Sequence, residues 1–191
     1  MKTKKIKCPW LIPGDKLYED YHDNEWGRPV HNDKMHFELL CLEGAQAGLS
    51  WITVLKKRAA YRLAFDNFDP EVVSLYTEKK VDEMMNNTNL IRHKKKLNSC
   101  ISNAKAFIKI QKEFGSFDTY VWQFVGNRPI IGKWQSMHDL PTQTEISIAL
   151  SKDLRKKGFL FVGPKIIYSY MQAAGLVIDH TVDCFLYSPN K

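Results

Sequence analysis

The chain has 191 residues, a formal charge of +7 and an isoelectric point near 9.1, and 44% of its residues are hydrophobic. These values predict one soluble globular domain, 1–191, and exclude a membrane-spanning protein, because no uncharged apolar run is long enough to cross a bilayer. The positive charge favours an anionic partner, with nucleic acid as the first expectation, although charge alone confers attraction without specificity.

The chain begins with a basic arm, residues 1–7, which lacks the apolar segment of a signal peptide. A cytoplasmic location is therefore expected. Four cysteines without a secretion signal argue against a disulfide framework. Two of them, Cys41 and Cys100, lie on predicted helix faces and are expected in the core.

Helical signals dominate the rest of the chain. The predicted helices are 15–24, 33–46, 51–65, 78–87, 92–114, 116–124, one that follows a capping box of Thr142 and Glu145, and 164–174. Asp33, Ser50 and Thr77 are the predicted N-caps of the second, third and fourth of these helices. Because strand-like alternation is scarce, we predict an all-α fold of two helical lobes around one cleft, with 126–141 as the longest loop.

One carboxylate lies in the most apolar of these helices. In helix 33–46, Leu39, Leu40 and the nearby Ala47 share the face that carries Glu43. An unpaired buried carboxylate costs several kcal/mol, as an order of magnitude, so Glu43 needs a partner. The sequence leaves two alternatives open, an ion pair with an arginine or backbone amides, and a site that binds a polar or cationic ligand.

A short glycine-bounded turn links the last two predicted helices, and it resembles a helix-hairpin-helix element. Gly158 and Gly163 delimit this turn, and Phe159, Phe161 and Val162 are expected to pack beneath it. The helix that follows begins with free amide groups, which favour an anion such as a DNA phosphate. Lysines 156, 157 and 165 surround the turn, and the basic run 92–96 could add a supporting phosphate contact. The alternative is an ordinary turn with a solvated lysine face.

Two cysteines and two histidines near the chain ends form a candidate metal site. Cys8 and His22 lie near the N-terminus, and His180 and Cys184 lie four residues apart near the C-terminus. Two thiolates and two imidazoles suit a closed tetrahedral zinc site, which leaves no position for a reactive water and is therefore structural. From spacing alone, four unrelated residues are the favoured interpretation.

Several motifs together closely resemble the 3-methyladenine DNA glycosylase I family. They are Tyr21-His22-Asp23-Asn24-Glu25-Trp26-Gly27, Cys41-Leu42-Glu43-Gly44, the run from Gln46 to Arg58, Gly158 to Pro164, and Met171 to Leu176. The likeness extends from Cys8 to about Cys184. It implies a helix-hairpin-helix DNA glycosylase, with that element at about 144–175. It also implies a structural zinc held by Cys8, His22, His180 and Cys184, which joins 8–22 to 180–184.

The resemblance implies a base-excision repair enzyme that hydrolyses the N-glycosidic bond of N3-methyladenine in alkylated double-stranded DNA and releases free 3-methyladenine. The base must be flipped out of the duplex. Gly48 and Leu49 offer an apolar turn that could fill the gap, and Gln46 is expected to contact the opposite strand. From sequence alone, core packing is the favoured interpretation of Leu49.

The lesion base is a cation, so the pocket must prefer a charged ring. In the interpretation that the resemblance favours, an ionised Glu43 supplies charge and a hydrogen-bond acceptor, and Tyr21 supplies a hydroxyl. Trp51 and Trp26 are candidates to stack on the base. Tyr18 and Trp10 are candidates for the remaining wall, and for all these aromatic residues the alternative is core packing.

The resemblance also implies that this family does without the aspartate that supports the sugar cation in related glycosylases, so Asp179 and Asp183 are expected to support the zinc ligands or to lie on the surface. No lysine has a clear apolar setting beside Glu43, which predicts a monofunctional hydrolase without strand cleavage. A monomer is expected because recognition of a single lesion does not require twofold symmetry. Two other functions remain as alternatives: a non-catalytic zinc-stapled DNA-binding module, and a zinc hydrolase, which the closed ligand set disfavours.

Overall fold

The computed structural model describes residues 5–188 and is mostly helical, as predicted. Residues 1–4 of the basic arm lie outside this range. The helices are α1 Lys16–Asn24, α2 Asp33–Gln46, α3 Trp51–Leu55, α4 Arg58–Ala64, α5 Pro70–Val73, α6 Glu78–Asn86, α7 Lys94–Phe114, α8 Phe117–Trp122, α9 Glu145–Lys156 and α10 Pro164–Ala173. Short 3-10 turns occur at Asp66–Phe68 and Gln123–Val125. None of the described helices has the length and apolarity needed to cross a membrane.

The N-cap of α2 differs from the prediction. Asn32, not Asp33, is the cap, and its side chain accepts a hydrogen bond from the backbone N–H of Met35 at 3.0 Å. The Asp33 carboxylate instead accepts from the backbone N–H groups of Phe117 and Asp118, both at 2.9 Å. Asp33 therefore satisfies the start of α8, a tertiary contact that local spacing could not reveal.

The capping box before α9 also lies two residues later than predicted. Thr144 is the N-cap: its backbone N–H donates to Ser147 Oγ at 2.8 Å, and its Oγ1 accepts from the Ser147 backbone N–H at 3.3 Å. The predicted box of Thr142 and Glu145 is wrong because Glu145 is already the first helical residue. A serine hydroxyl fills the role expected of a glutamate.

The predicted helix 51–65 is broken into α3 and α4. Ser50 occupies the N-cap position of α3, but its hydroxyl bonds Thr53 Oγ1 at 2.7 Å and makes no cap bond. Immediately after the break, the buried Arg58 guanidinium contacts Glu38 Oε1 on α2 at 2.5 Å. This buried ion pair holds the first residue of α4 against α2. Helical periodicity could not indicate such a tertiary contact.

The long loop carries the unpredicted strand β1, Ile130–Ile131, which pairs in parallel with β2, Val177–Ile178. The register joins Ile130 to Val177 and Ile131 to Ile178. Two-residue strands leave no periodic signal in a sequence. The pairing attaches the loop to the C-terminal segment that follows α10.

Hydrophobic side chains form one large cluster and one smaller cluster. The large cluster is built mainly on α2 and α7 and includes Cys41 and Cys100, as predicted. The smaller cluster brings Cys8 and Cys184, from opposite ends of the chain, together with Tyr21. Glu43 lies at the end of α2, where the two clusters meet.

Candidate functional site

A cavity of about 540 Å³, including its open mouth, lies beside Glu43. The structure brings seven of the sequence-predicted residues to its walls. These are Trp10, Tyr18, Tyr21, Trp26, Glu43, Gln46 and Trp51. They come from the N-terminal segment, α1, α2 and α3, which lie close together in sequence as well as in space.

Glu43 is buried, at 3% exposure, and its Oε2 atom has no hydrogen-bond partner among the described residues. The interpretation of Glu43 as an arginine-paired acid is wrong, because no ion pair among residues 5–188 includes Glu43, and Arg58 bonds Glu38 and Glu25. A buried acceptor without a partner is rare in folded proteins and indicates a position that a ligand completes.

Burial raises the pKa of Glu43 to about 8. The empty cavity therefore favours the protonated carboxyl group, whereas the sequence-based interpretation has Glu43 ionised. A cation that enters the cavity favours the ionised form and lowers this pKa. Burial, followed by the charge of Glu43, raises the pKa of Tyr21 well above 10, so its hydroxyl remains a neutral donor.

Two indole N–H groups, like Glu43 Oε2, are buried polar groups of the cavity. Trp10 Nε1 and Trp51 Nε1 are buried and lack hydrogen-bond partners among the described residues. The Trp51 ring lies 5.4 Å from that of Tyr21, and the Trp10 ring lies 5.1 Å from that of Trp26. The cavity thus combines aromatic faces with one free acceptor and two free donors, which suits a flat, polar, aromatic ligand.

Four further residues of the cavity wall escaped prediction: Met137, Leu140, Ser169 and Gln172. The first two belong to the loop after β1, and the last two lie three residues apart on α10. The spacing of Ser169 and Gln172, a polar pair on an otherwise apolar helix, could have suggested a polar face there. Nothing in the loop sequence marks Met137 or Leu140.

The turn after α2 presents an apolar side chain to solvent. Gly48 has a φ of +79°, and Leu49 is 41% exposed, so the expectation that Leu49 packs in the core is wrong. The ammonium group of Lys96 donates to the carbonyl oxygens of Ala45 at 2.8 Å and Ala47 at 2.6 Å. These bonds satisfy the end of α2 and hold the turn in place.

The turn between α9 and α10 has the conformation expected of a hairpin. Gly158 adopts a φ of +96°, and Gly163 is the N-cap of α10 without a side-chain hydrogen bond. Phe159 and Val162 are buried beneath it, as predicted, whereas Phe161 is half-buried. Lysines 156 and 165 are exposed, but Lys157 pairs with Glu113 at 2.9 Å.

Two contacts hold this hairpin against the rest of the molecule. The Asn103 side chain on α7 accepts from the backbone N–H of Leu160 at 2.8 Å and donates to its carbonyl oxygen at 3.0 Å. A Cβ atom at Gly44 would lie 3.3 Å from Phe161 Cβ, so the hairpin packs closely on the residue that follows Glu43. The hairpin and the cavity therefore share α2 as a support.

The basic run 92–96 is less available than predicted. Lys96 is buried by its bonds to α2, and Lys94 pairs with Asp82 at 3.0 Å and with Glu78. Arg92 and Lys95 remain exposed. Two of its lysines are used in internal contacts, so the supporting phosphate contact stays a prediction for Arg92 and Lys95.

Cys8, His22, His180 and Cys184 are all buried, and their four ligand atoms lie within 4.8 Å of one another. His180 Nδ1 lies 3.4 Å from Cys8 Sγ and 3.6 Å from Cys184 Sγ. His22 Nδ1 also contacts Asp23 Oδ1 at 2.7 Å, which orients the ring for a ligand at Nε2. The residues form a buried cluster that could hold a metal.

The two thiols of this cluster affect each other. The hydrogen bond from Cys8, with those from the two imidazoles, lowers the pKa of Cys184, and the neighbouring Cys184 thiolate raises the pKa of Cys8. One thiol therefore ionises readily and the second does not. A divalent cation would stabilise both thiolates, so the donor set fits a metal such as zinc.

Asp179 and Asp183 are expected from the sequence to support the zinc ligands or to lie on the surface. Asp179 is buried and accepts three hydrogen bonds, from Trp134, Tyr168 and Gln172. Asp183 is exposed. Asp183 therefore lies on the surface, one of the two positions expected for these residues.

The chain is similar to known proteins in both sequence and fold. The family model described as methyladenine glycosylase matches residues 10–187. A DNA-3-methyladenine glycosylase of Haemophilus influenzae is 47% identical over 178 residues, which cover 93% of this chain and 96% of that protein. The crystal structure of a 3-methyladenine DNA glycosylase I matches with a TM-score of 0.93 at 48% identity, covering 96% of this chain and 100% of that one. A second structure, of a single-residue variant in complex with 3-methyladenine, matches with a TM-score of 0.88 at 39% identity and covers 90% and 92% of the two chains.

Proposed function

The chain belongs to the methyladenine glycosylase family, and on that premise we propose that it hydrolyses the N-glycosidic bond of N3-methyladenine in alkylated DNA. Its family is the one that the sequence motifs predicted. The observation that carries the proposal is the unpartnered Glu43 Oε2 in an aromatic cavity. A non-catalytic DNA-binding module, the alternative, has no use for a buried acid whose burial is costly.

The chemistry needs little acid catalysis. N3-methylation gives the base a positive charge, which weakens the bond to the sugar. When water adds to the sugar carbon, it gives up a proton to solvent, the bond to the base breaks, and the electron pair of that bond neutralises the base as 3-methyladenine leaves. The pocket must therefore distinguish a cationic ring from plain adenine more than it must donate a proton.

Glu43, Tyr21 and Trp51 are the residues that we assign to this recognition. The carboxyl group of Glu43 ionises when the cationic base enters and accepts a hydrogen bond from its amino edge. The Tyr21 hydroxyl donates a second hydrogen bond. The Trp51 ring stacks on the base face, and a cationic ring strengthens that contact. Trp10, Tyr18 and Trp26 form the remaining aromatic wall.

The base reaches the cavity by flipping out of the duplex. We assign the exposed Leu49, on the turn at Gly48, to filling the gap in the base stack. Gln46, at the cavity edge, contacts the opposite strand in this proposal. The hairpin at Gly158 and Gly163, with the exposed Lys165, grips a backbone phosphate through the start of α10.

We further propose that the buried cluster holds a zinc ion, with Cys8, His22, His180 and Cys184 as its ligands. When bound, the ion supplies folding energy by joining the two ends of the chain. The four protein ligands leave no open position, so no hydrolytic water is assigned to it.

The enzyme is proposed to act as a monofunctional and cytoplasmic monomer with one catalytic domain. The buried Lys96, whose pKa is lowered by burial, donates to two carbonyl oxygens at the end of α2. It is thereby held in a structural role and not as a nucleophile. Strand cleavage by purified protein, with borohydride trapping of a covalent complex, would contradict this assignment.

The test is base release from N-methylated duplex DNA. Free bases are separated by chromatography, and the DNA strands are checked for breaks. We expect 3-methyladenine in the supernatant and intact strands that carry abasic sites. Binding of the duplex without release of any base would favour the non-catalytic module.

A further inference from the structure

A buried carboxylate outside the proposed catalytic set lies behind the cavity. Asp179 is 3% exposed, and both of its oxygen atoms are used. Oδ1 accepts from Trp134 Nε1 at 2.7 Å, and Oδ2 accepts from the Tyr168 hydroxyl at 2.6 Å and from Gln172 Nε2 at 2.9 Å. Three donors to a charged acceptor make a strong, oriented network.

One hydrogen bond of this network, from Gln172, connects Asp179 to the cavity wall. Gln172 lines the cavity from α10. Because a carboxylate accepts hydrogen bonds and does not donate them, the Gln172 amide must present its NH₂ group to Asp179. Its carbonyl oxygen is then left as a free acceptor, in an orientation that Asp179 determines.

The hydrogen bond from Trp134 connects Asp179 to another part of the cavity wall. Trp134 belongs to the loop of residues 132–141, which carries Met137 and Leu140 into the cavity lining. Beyond β1, this loop is held by the Trp134 indole on Asp179 and by the hydrogen bond from Val182 N–H to the Trp134 carbonyl oxygen at 3.0 Å.

The start of the loop is shaped for this contact. A Cβ atom at Gly132 would lie 2.1 Å from Trp134 Nε1 and 2.5 Å from Asp179 Oδ1. Neither distance is possible, so only glycine at position 132 lets the indole reach the carboxylate.

We propose that Asp179 is a positioning residue that holds two walls of the cavity, the Gln172 amide and the loop of residues 132–141, in the arrangement that receives the alkylated base. This inference rests on the proposed function. Asp179 touches no substrate in this account and acts through the two side chains that it binds.

Tyr168→Phe gives the sharpest test, because Tyr168 does not line the cavity around Glu43 yet donates to Asp179. We expect the affinity for free 3-methyladenine and the single-turnover rate of base release each to fall about tenfold, the loss typical of one strong hydrogen bond. The affinity for duplex DNA with an abasic-site analogue and the bound metal should not change.

Tyr170→Phe is the matched control. Tyr170 is also buried on α10, and its hydroxyl is bonded to His36 Nδ1 at 2.7 Å instead of to Asp179. Tyr170→Phe should lose about as much thermal stability as Tyr168→Phe but should keep the wild-type affinity for the base. Equal effects of the two variants on base affinity would overturn the proposal.

A second pair of variants tests the hydrogen bond from Trp134 to Asp179. This pair tests the proposal even if Tyr168→Phe does not fold. Trp134→Phe removes the indole donor and should weaken base binding. Trp122→Phe, which removes the 3.0 Å bond from Trp122 Nε1 to the Val30 carbonyl oxygen, should not. Wild-type base affinity in Trp134→Phe would overturn the proposal, whereas absence of base release by the wild-type protein would count against the proposed function itself.

Discussion

Glu43 is held in a place that is costly for the fold and useful for recognition. Its Oε2 atom is buried without a hydrogen-bond partner in residues 5–188, and Arg58 pairs with Glu25 and Glu38. Burial raises its pKa to about 8, and a cation in the cavity favours its ionised form. The charge is therefore present when the lesion base is present.

This mechanism predicts a pH profile. Below about pH 8, kcat/KM for methylated DNA should rise with pH, with a slope of about one on logarithmic axes, and then level off, because binding of the cation requires loss of the Glu43 proton. Initial rates at low DNA concentration from pH 6 to pH 9 give the profile. Glu43→Gln is the control and should lack the rise. An identical rise in that variant would assign the proton to another group.

The same carboxyl group should make the fold less stable as pH rises. In the unfolded chain Glu43 ionises near 4.5, and in the folded chain only near 8, so stability is lost between these values and is constant above them. Glu43→Gln should therefore gain stability relative to the wild type as pH rises from 4.5 to 8, by at most about 4 kcal/mol. Urea unfolding at several pH values measures the difference, and a difference that does not vary with pH would contradict the assigned burial.

At this scale the sequence was informative where residues are neighbours in the chain. Glu43, Gln46 and Trp51 lie within one short motif, and the apolar face of α2 alone indicated that the acid is buried. The sequence could not show that Arg58 pairs with Glu38 and Glu25, because these ion pairs depend on where α4 begins in space.

At the scale of elements, the hairpin between α9 and α10 is supported from below. Asn103 on α7 bonds both backbone groups of Leu160, so the Leu160 N–H is not available to a phosphate. The amides that remain for an anion are those nearer the start of α10. A buried side chain thus sets the shape of a surface turn.

Asn103→Leu should loosen the hairpin without touching the cavity. We expect duplex affinity to fall about tenfold, while the rate of base release at saturating DNA remains that of the wild type. Fluorescence anisotropy and single-turnover assays separate the two quantities. Ser99→Ala, which removes another buried polar group of α7, is the control and should keep full affinity. A fall in the release rate without a fall in affinity would contradict this role.

Elements were predicted well where the pattern is long, and poorly where it is short. Helix α7 was predicted to within two residues at its start because its apolar positions repeat over several turns. The four-residue α5 and the strand pair of β1 with β2 carry no such repeat and were missed. The shifted cap of α9 reflects a choice between two threonines that the core packing decides.

At the scale of the whole molecule, both ends of the chain meet beside the cavity. Cys8 and His22 lie with His180 and Cys184 in one buried cluster, and Asp179, which precedes His180, contacts the network behind the cavity. The buried Cys/His cluster and the Asp179 hydrogen-bond network are thus adjacent in space. Sequence suggested the four ligands, but the association of a distant loop with α10 depends on tertiary contacts.

Removal of the metal should lower stability before it affects chemistry. A chelator, or Cys184→Ser, should lower the melting temperature by about 10 °C or more, as expected for a structural zinc in a chain of this size. Thermal melts and metal analysis of the purified protein measure this. Cys100→Ala, at a buried cysteine outside the cluster, should retain its metal. An unchanged melting temperature in the presence of chelator would contradict the zinc assignment.

The central claim is that the cavity beside Glu43 receives the alkylated base, and one comparison tests it most directly. The single-turnover rate of 3-methyladenine release at pH 8 is measured for the wild type and for Glu43→Gln, with affinity for undamaged duplex measured in parallel. We predict a rate about a hundredfold lower in the variant, as for loss of one preorganised electrostatic contact, with unchanged duplex affinity. A wild-type rate in Glu43→Gln, or an equal loss of rate and duplex affinity, would contradict the account.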